Sequence, residues 1–108
     1  MLYWLTVNCA NTAEARRIAR GLLKARLVVC SNVVPNLFSQ YLWKGKIESS
    51  NEALLMVKTT KPKLQKTIAA IIEQHSYDLP SIEYWPVQTT PELDRWVKRA
   101  TAEKGPAK

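Results

Sequence analysis

One histidine and two cysteines are the residues of this sequence whose chemistry goes beyond packing and solvation. His75 could bind a metal ion or carry a proton near neutral pH, although a lone histidine in a loop more often holds the turn in which it lies. Cys9 and Cys30 could bind a soft ion such as Cu⁺, with Met56 in support, but free cysteines are also common packing residues. The residue types therefore favour structural roles and leave a metal site as the second interpretation.

Common signatures of catalysis and of structural zinc sites are absent from the sequence. It has no GxSxG, Walker loop, GxGxxG or HExxH motif, and no CxxC or CxxH pair. The carboxylates of Asp78 and Glu83 could form an acid–base pair with His75, but no spacing fixes their geometry. We expect a protein that is not an enzyme and requires no cofactor, with copper or another divalent metal as an optional ligand.

The chain is basic, with 16 Lys and Arg against 9 Asp and Glu and a formal net charge of +7. A helical stripe of Arg16, Arg20 and Lys24 could contact phosphates, and sheets bind RNA when aromatic side chains stack on its bases. Residues 53–57 of the predicted third strand read Ala-Leu-Leu-Met-Val, without that aromatic pattern. A solvated basic helix face is the favoured interpretation, and a nucleic-acid partner is not expected.

Length and composition fit one globular domain in the cytoplasm. The 108 residues are 46% hydrophobic and 23% charged, which are ordinary globular values. The N-terminal residues lack the basic start of a signal peptide, and no run reaches the roughly 20 apolar residues of a membrane span. We expect reduced thiols, no membrane partner, one domain over residues 1–102 and a frayed tail over residues 103–108.

Periodicity and turn residues predict the order βαββαβ followed by a further helix. Strands are predicted from Leu2 to Asn8, from Leu27 to Trp43 with an interruption at Pro35-Asn36, from Ile47 to Thr59 and from Ile82 to Val87. Helices are predicted after the caps Asn11, Thr60 and Thr90, and the first cap forms a capping box with Glu14. In the second helix the predicted buried residues are Leu64, Ile68, Ile71 and Ile72. In the third they are Leu93, Trp96, Val97 and Ala100. This order is the ferredoxin-like arrangement of the α+β class, with a long hairpin between the second and third strands and an extra C-terminal helix.

Three of the predicted strands are apolar on both faces, over residues 2–5, 27–30 and 54–57. An antiparallel sheet with one solvated face would instead alternate apolar and polar residues. The second face must therefore be covered, and association of several copies is the simplest way. We expect Tyr41, Trp43 and Trp85 at that interface, because each large aromatic can bury about 150–250 Å².

Several stretches resemble the CutA family of divalent-ion tolerance proteins. They are residues 15–19 (ARRIA), 30–35 (CSNVVP), 41–47 (YLWKGKI), Glu52 with 54–59 (LLMVKT) and 75–80 (HSYDLP). The motif residues are Tyr41, Trp43, Gly45, Lys58, Tyr77 and Pro80. The resemblance runs from about Leu5 to Trp96, and its most specific part is the Tyr-x-Trp-x-Gly hairpin tip followed by Lys-Thr.

This resemblance implies a homotrimer similar to the P-II signalling proteins, with a role in divalent-metal (copper) tolerance or signalling. A trimeric scaffold that binds no metal is the alternative. The family associates copper with a first-strand cysteine and two adjacent histidines, and these positions here hold Val7 and the pair Gln74-His75. Cys9 lies two residues after Val7 on the same strand face. The resemblance therefore implies a metal site of Cys9 and His75, with Gln74 as a third candidate.

The two thiols are expected to behave differently. Cys30 lies in a β-branched run that should be buried in the sheet, where a small thiol packs well. Cys9 is then the thiol expected to react faster with a reagent. The resemblance places the binding locus in a cleft between subunits near residues 75–80, where an unidentified signalling partner could read it.

Overall fold

A computed structural model describes residues 1–102 of the chain, so the tail predicted to fray lies outside the described residues. The strands are β1 (Leu2–Cys9), β2 (Cys30–Trp43), β3 (Lys46–Thr59) and β4 (Ile82–Val87). The helices are α1 (Thr12–Lys24), α2 (Leu64–Gln74, preceded by a 3₁₀ turn over Lys61–Lys63) and α3 (Pro91–Ala102). In the described part of the chain, no helix has the length and apolar character needed to cross a membrane.

The four strands form one antiparallel sheet in the order β2-β3-β1-β4. Helices α1 and α2 pack on one face, where Leu5, Ile18 and Leu55 are fully buried in a common core. This confirms the predicted ferredoxin-like α+β fold with its long hairpin and additional helix. Pro86 lies on β4, an edge strand, as its missing backbone donor requires.

Helix α1 begins and ends as its capping residues dictate. The Asn11 side chain accepts a hydrogen bond from the backbone N–H of Glu14, at 2.8 Å, which confirms the predicted cap. At the other end Arg26 adopts a φ of 60°, and the N–H of Leu27 donates to Leu22 O in a Schellman motif. The helix cap thus uses Leu27, so β2 begins at Cys30 and the prediction of a strand from Leu27 is wrong.

The β2–β3 hairpin changes character at its middle. Its register shifts between Val34 and Leu37, around the predicted interruption, and Asn36 has a φ of 56°. At the tip Lys44 and Gly45 both have positive φ, as a two-residue hairpin turn of type I′ requires. We call residues 37–52, which lie beyond the register shift, the arm.

Pairing between β1 and β3 assigns side chains to the two faces of the sheet. Residues of the face packed on the helices include Cys9, whose partner is Ala53. The opposite, open face includes Trp4 opposite Lys58 and Thr6 opposite Met56. The open face therefore carries large apolar groups, in agreement with strands that are apolar on both sides.

Two predicted helix stripes are partly wrong. In α2 the buried residues are Leu64, Thr67 and Ile71, whereas Ile72 is exposed. The buried residues are spaced by three and four positions, and Ile72 lies about 100° further round the helix than Ile71. Thr67 tolerates burial because its hydroxyl donates to Lys63 O at 2.8 Å. In α3 Val97 is buried as predicted, with Thr101, while Leu93 and Trp96 are exposed.

Candidate metal centre

The predicted ligands Cys9 and His75 meet where β1 and α2 end and α1 begins. Cys9 is the last residue of β1, His75 follows the last residue of α2, and Glu14 lies in the first turn of α1. One ligand atom from each of these three residues lies within 4.8 Å of the other two. The structure thus brings both predicted residues together and adds a carboxylate that the sequence analysis assigned only to helix capping.

The side chain of Gln74, which the sequence offered as a third candidate, makes its contacts within α2 and against α1. Its side-chain amide donates to Ala70 O at 3.3 Å. Its oxygen packs against α1 at Gly21, where an added Cβ would lie 2.7 Å from that oxygen. The side chain therefore fills the contact between the two helices, and a larger residue at position 21 would require it to shift.

Glu14 connects the start of α1 to the turn after α2. One carboxylate oxygen accepts from Ala10 N and the other from Ser76 N, both at 2.8 Å. Burial of the side chain would raise the pKa of Glu14, but the hydrogen bonds from Ser76 and Ala10 outweigh burial and lower it. The carboxylate is therefore anionic at neutral pH. The capping-box spacing was the sequence signal that placed Glu14 beside Cys9.

His75 is held by both of its ring nitrogens. Nδ1 accepts from the backbone N–H of Tyr77 at 3.0 Å. Because an N–H can only donate, Nδ1 carries no proton, and Nε2–H donates to Asn8 O at 2.7 Å. The ring therefore fixes the turn that precedes β4, which is the structural role that the sequence analysis favoured.

His75 and three other residues form a closed circuit of hydrogen bonds. The Tyr77 hydroxyl donates to Glu52 at 2.7 Å, and the Asn8 side-chain amide donates to the other oxygen of Glu52 at 3.2 Å. With the two bonds of His75, they connect β1, β3 and the α2–β4 turn. Burial of Glu52 would raise the pKa of its carboxyl, but the hydrogen bonds, of which that from Tyr77 has the largest effect, outweigh burial and lower it. Glu52 is the residue of β3 at the base of the arm, where it pairs with Leu37 of β2. The circuit therefore anchors the arm to the rest of the chain.

Cys9 is fully buried, which contradicts the prediction that it is the more reactive thiol. Burial, together with the nearby Glu14 and Glu52 charges, raises the pKa of Cys9 to about 12. Cys30 is the partly exposed cysteine. Sequence reasoning missed this because the strand begins at Cys30, at the edge of the sheet, while Cys9 ends a central strand beneath α1.

The remaining predicted site residues lie on the open face or along the arm. Tyr41 and Trp43 project from the arm and Trp85 from the edge strand β4, and all three are at least 39% exposed in the single chain. Trp85 packs on Trp4, with ring centroids 6.1 Å apart, and the Lys58 ammonium lies 5.1 Å from the Trp4 ring. The three predicted interface aromatics are thus uncovered within the single chain.

Two further predicted positions have local roles. Pro80 is half-buried in the loop before β4. Glu83, considered as an acid–base partner of His75, instead accepts hydrogen bonds from Thr6 at 3.3 Å and from Ser81 at 2.7 Å. Its carboxylate therefore belongs to the sheet surface.

Comparison with known proteins agrees with this fold. A family model described as CutA1 divalent ion tolerance protein matches residues 3–100, and the chain belongs to that family. Among solved structures, the divalent ion tolerance protein CutA1 from Ehrlichia chaffeensis superposes with a TM-score of 0.89 at 29% identity, covering 94% of this chain and 96% of that one. The divalent cation tolerance protein from Thermus thermophilus gives 0.85 at 33% identity, covering 89% and 94%.

Curated relatives differ in length and in the location that their names state. The Protein CutA homolog of Xenopus laevis is 38% identical over 92 residues, which are 84% of this chain and 61% of that protein. The chain also spans 54% of the mouse relative. The Arabidopsis thaliana relative is named chloroplastic, and a structural neighbour from Archaeoglobus fulgidus is named periplasmic. These names differ from the cytoplasmic location expected for this chain, which stays a prediction.

Proposed function

We propose that this chain is the subunit of a homotrimeric protein of divalent-metal tolerance, in which Cys9 and His75 contribute to a copper or other divalent-metal site. Membership of the tolerance family supports the role at its coarsest level. The observation that carries the metal site is the convergence of a thiol, a carboxylate and an imidazole within 4.8 Å. We further propose that the protein acts without catalysis in the cytoplasm and that an unidentified signalling partner reads its state.

The trimer is proposed from apolar surface that one subunit cannot cover. Along the arm Phe38, Leu42 and Ile47 are 70–75% exposed, and Tyr41 and Trp43 project from the other face of the same hairpin. Burial of apolar area contributes roughly 25 cal/mol per Å², so covering several of these side chains stabilises an assembly by many kcal/mol. A closed symmetric assembly would cover the arms and also pair the open strand edges.

Light scattering after size-exclusion chromatography tests the trimer. We expect a mass three times the 12.3 kDa of the chain. A mass near 12 kDa at micromolar concentration would contradict the assembly. It would leave metal binding by a single subunit to be judged separately.

Titration calorimetry tests the metal site. We expect Cu²⁺ or Cu⁺ to give a saturable heat with wild type and a weaker one with His75→Ala. No heat with wild type, or equal binding by the variant, would exclude the His75 site.

A trimeric scaffold that binds no metal is the second candidate. It is favoured by one observation: both nitrogens of His75 and both oxygens of Glu14 already have protein hydrogen-bond partners. A trimeric mass together with silent titrations would support the scaffold.

A further inference from the structure

The donors around Cys9 differ from those expected of a copper(I) site. Met56, which the sequence offered as a second soft ligand, pairs with Thr6 and points to the open face, whereas Cys9 points to the helices. Cys30 pairs with Lys58 and Cys9 with Ala53, so the two cysteines lie beside positions of β3 that are five residues apart. The atoms near the Cys9 sulfur are instead a carboxylate oxygen and an imidazole nitrogen.

This donor set determines the class of ion. Cu⁺ prefers several soft sulfur ligands, while one thiolate, one imidazole and one carboxylate suit a borderline divalent ion such as Zn²⁺ or Co²⁺. We propose that Glu14 is the third ligand of a Cys9–Glu14–His75 site that selects a Zn²⁺-type ion over Cu⁺. This inference rests on the metal-binding function proposed above and names the ion class and the ligand that it lacked.

The observed spacing is close to what such an ion needs. Zinc bonds of about 2.0–2.3 Å in a tetrahedron place ligand atoms about 3.3–3.8 Å apart. The three ligand atoms lie within 4.8 Å of one another, so side-chain rotations bring them into range. Three protein ligands leave the fourth position of the tetrahedron for water or a small ligand.

The groups can change partners without leaving a buried charge alone. The Glu14 carboxylate has about four lone-pair positions, of which the N–H groups of Ala10 and Ser76 use two. Cys9 gives its thiol proton to solvent when it binds the ion, and the two positive charges of the ion balance its thiolate and the Glu14 carboxylate. If Nδ1 of His75 binds, the metal bond replaces only the hydrogen bond from Tyr77 N, and Nε2–H still donates to Asn8 O.

Cobalt absorption tests the assignment on the full chain. We titrate Co²⁺ into wild type and expect a thiolate-to-cobalt charge-transfer band and an intense visible band of tetrahedral type, both removed by excess Zn²⁺. Glu14→Gln should weaken Co²⁺ binding by at least about tenfold, and Cys9→Ser should abolish the charge-transfer band. Circular dichroism and thermal unfolding confirm that each variant is folded.

Two matched controls isolate the ligands from their surroundings. Glu83→Gln alters a carboxylate on the sheet surface that also receives two hydrogen bonds, and it should bind Co²⁺ as wild type does. Cys30→Ser should keep the charge-transfer band. Loss of binding in Glu83→Gln equal to that in Glu14→Gln would overturn the role of Glu14 as a ligand.

The outcomes separate this inference from the proposed function. If wild type binds neither Co²⁺, Zn²⁺ nor copper, the metal-binding function itself is wrong. If wild type binds Co²⁺ and Glu14→Gln binds it equally well, metal binding stands and the Glu14 assignment is overturned. If a chelator competition shows that Cu⁺ binds more tightly than Zn²⁺, the inferred ion class is overturned.

Discussion

The body of the subunit and its arm are built from the same hairpin but obtain their stability differently. In the body, β3 carries Leu55 and Val57, which the helices bury almost completely. In the arm, the same strand carries Ile47, which is 74% exposed, opposite Leu42, which is 75% exposed. Pairing with β2 continues through both regions, but β3 also pairs with β1 in the body and only with β2 in the arm, so the regions differ in strand neighbours as well as in side-chain burial.

This difference shows that a regular strand ladder does not imply a stable unit. A two-stranded ribbon without a packed face is marginal in water, and the arm gains no core from its own subunit. The body has a core and is stabilised internally. We therefore expect damage to the body to act at any protein concentration and damage to the arm to act through assembly.

The largest effect should come from truncation in the body. Leu55→Ala removes a fully buried side chain and leaves a cavity, which should lower the free energy of unfolding by about 2–5 kcal/mol. Urea unfolding measures this at several protein concentrations, with Leu42→Ala as the arm control. If Leu42→Ala lowers the free energy of unfolding as much as Leu55→Ala at every concentration, the inferred difference between body and arm is wrong.

Loss of an arm aromatic should affect assembly more than folding. Trp43 is 52% exposed within the single chain, so Trp43→Ala should keep the circular dichroism of wild type while the proposed trimer dissociates on dilution. Trp96→Ala is the control, because Trp96 is similarly exposed but lies on α3. A Trp43→Ala trimer that withstands dilution as well as wild type would remove Trp43 from the interface.

Acid should weaken the contacts that anchor the turn and the arm. Because the folded-state pKa of Glu14 lies below its ordinary value of 4.5, the stabilisation is present above that value and is lost as pH falls through the folded pKa. Glu52 acts in the same direction. Glu14→Gln should cost about 1–3 kcal/mol at pH 7, since it replaces one acceptor with a donor.

Melting temperatures between pH 7 and pH 3 measure this dependence. The melting temperature of wild type should fall more steeply with acid than that of Glu14→Gln, which lacks the contribution of Glu14. Parallel curves for the two proteins would mean that Glu14 is not a source of the acid sensitivity.

The smallest effect should follow from a change on the outer side of α2. Ile72 is 52% exposed, so Ile72→Gln should change the free energy of unfolding by no more than about 0.5 kcal/mol. Ile71→Ala, one position away and fully buried, should cost several times more. Equal losses in a denaturant titration would show that α2 buries a wider face than its contacts indicate.

Local signals in the sequence predicted most of the fold. The Asn11 cap, the interruption at Pro35 and the Lys44-Gly45 tip each depend on a few neighbouring residues, and each is confirmed. The start of β2 was misplaced, because a left-handed φ at Arg26 is not favoured by that residue type and the helix cap that needs it gave no sequence signal.

The candidate site was predictable only in part. Cys9 and His75 were singled out by residue type and resemblance, and the structure brings them together. Glu14 was recognised for its capping role, which depends on the adjacent Asn11. The hydrogen bond that it accepts from Ser76 N joins residues 62 positions apart, so no pattern of neighbouring residues predicts it.

By itself the sequence determined which residues form strands, helices and tight turns, because these depend on hydrophobic period, caps and positive-φ positions within a short segment. It also determined that the sheet is apolar on both faces. Only the tertiary structure decided that Cys9 is buried and Cys30 accessible, because that depends on which strand is central and which lies at the edge. It also decided that Glu14 lies beside Cys9 and His75, since that requires the end of β1, the start of α1 and the end of α2 to pack at one point.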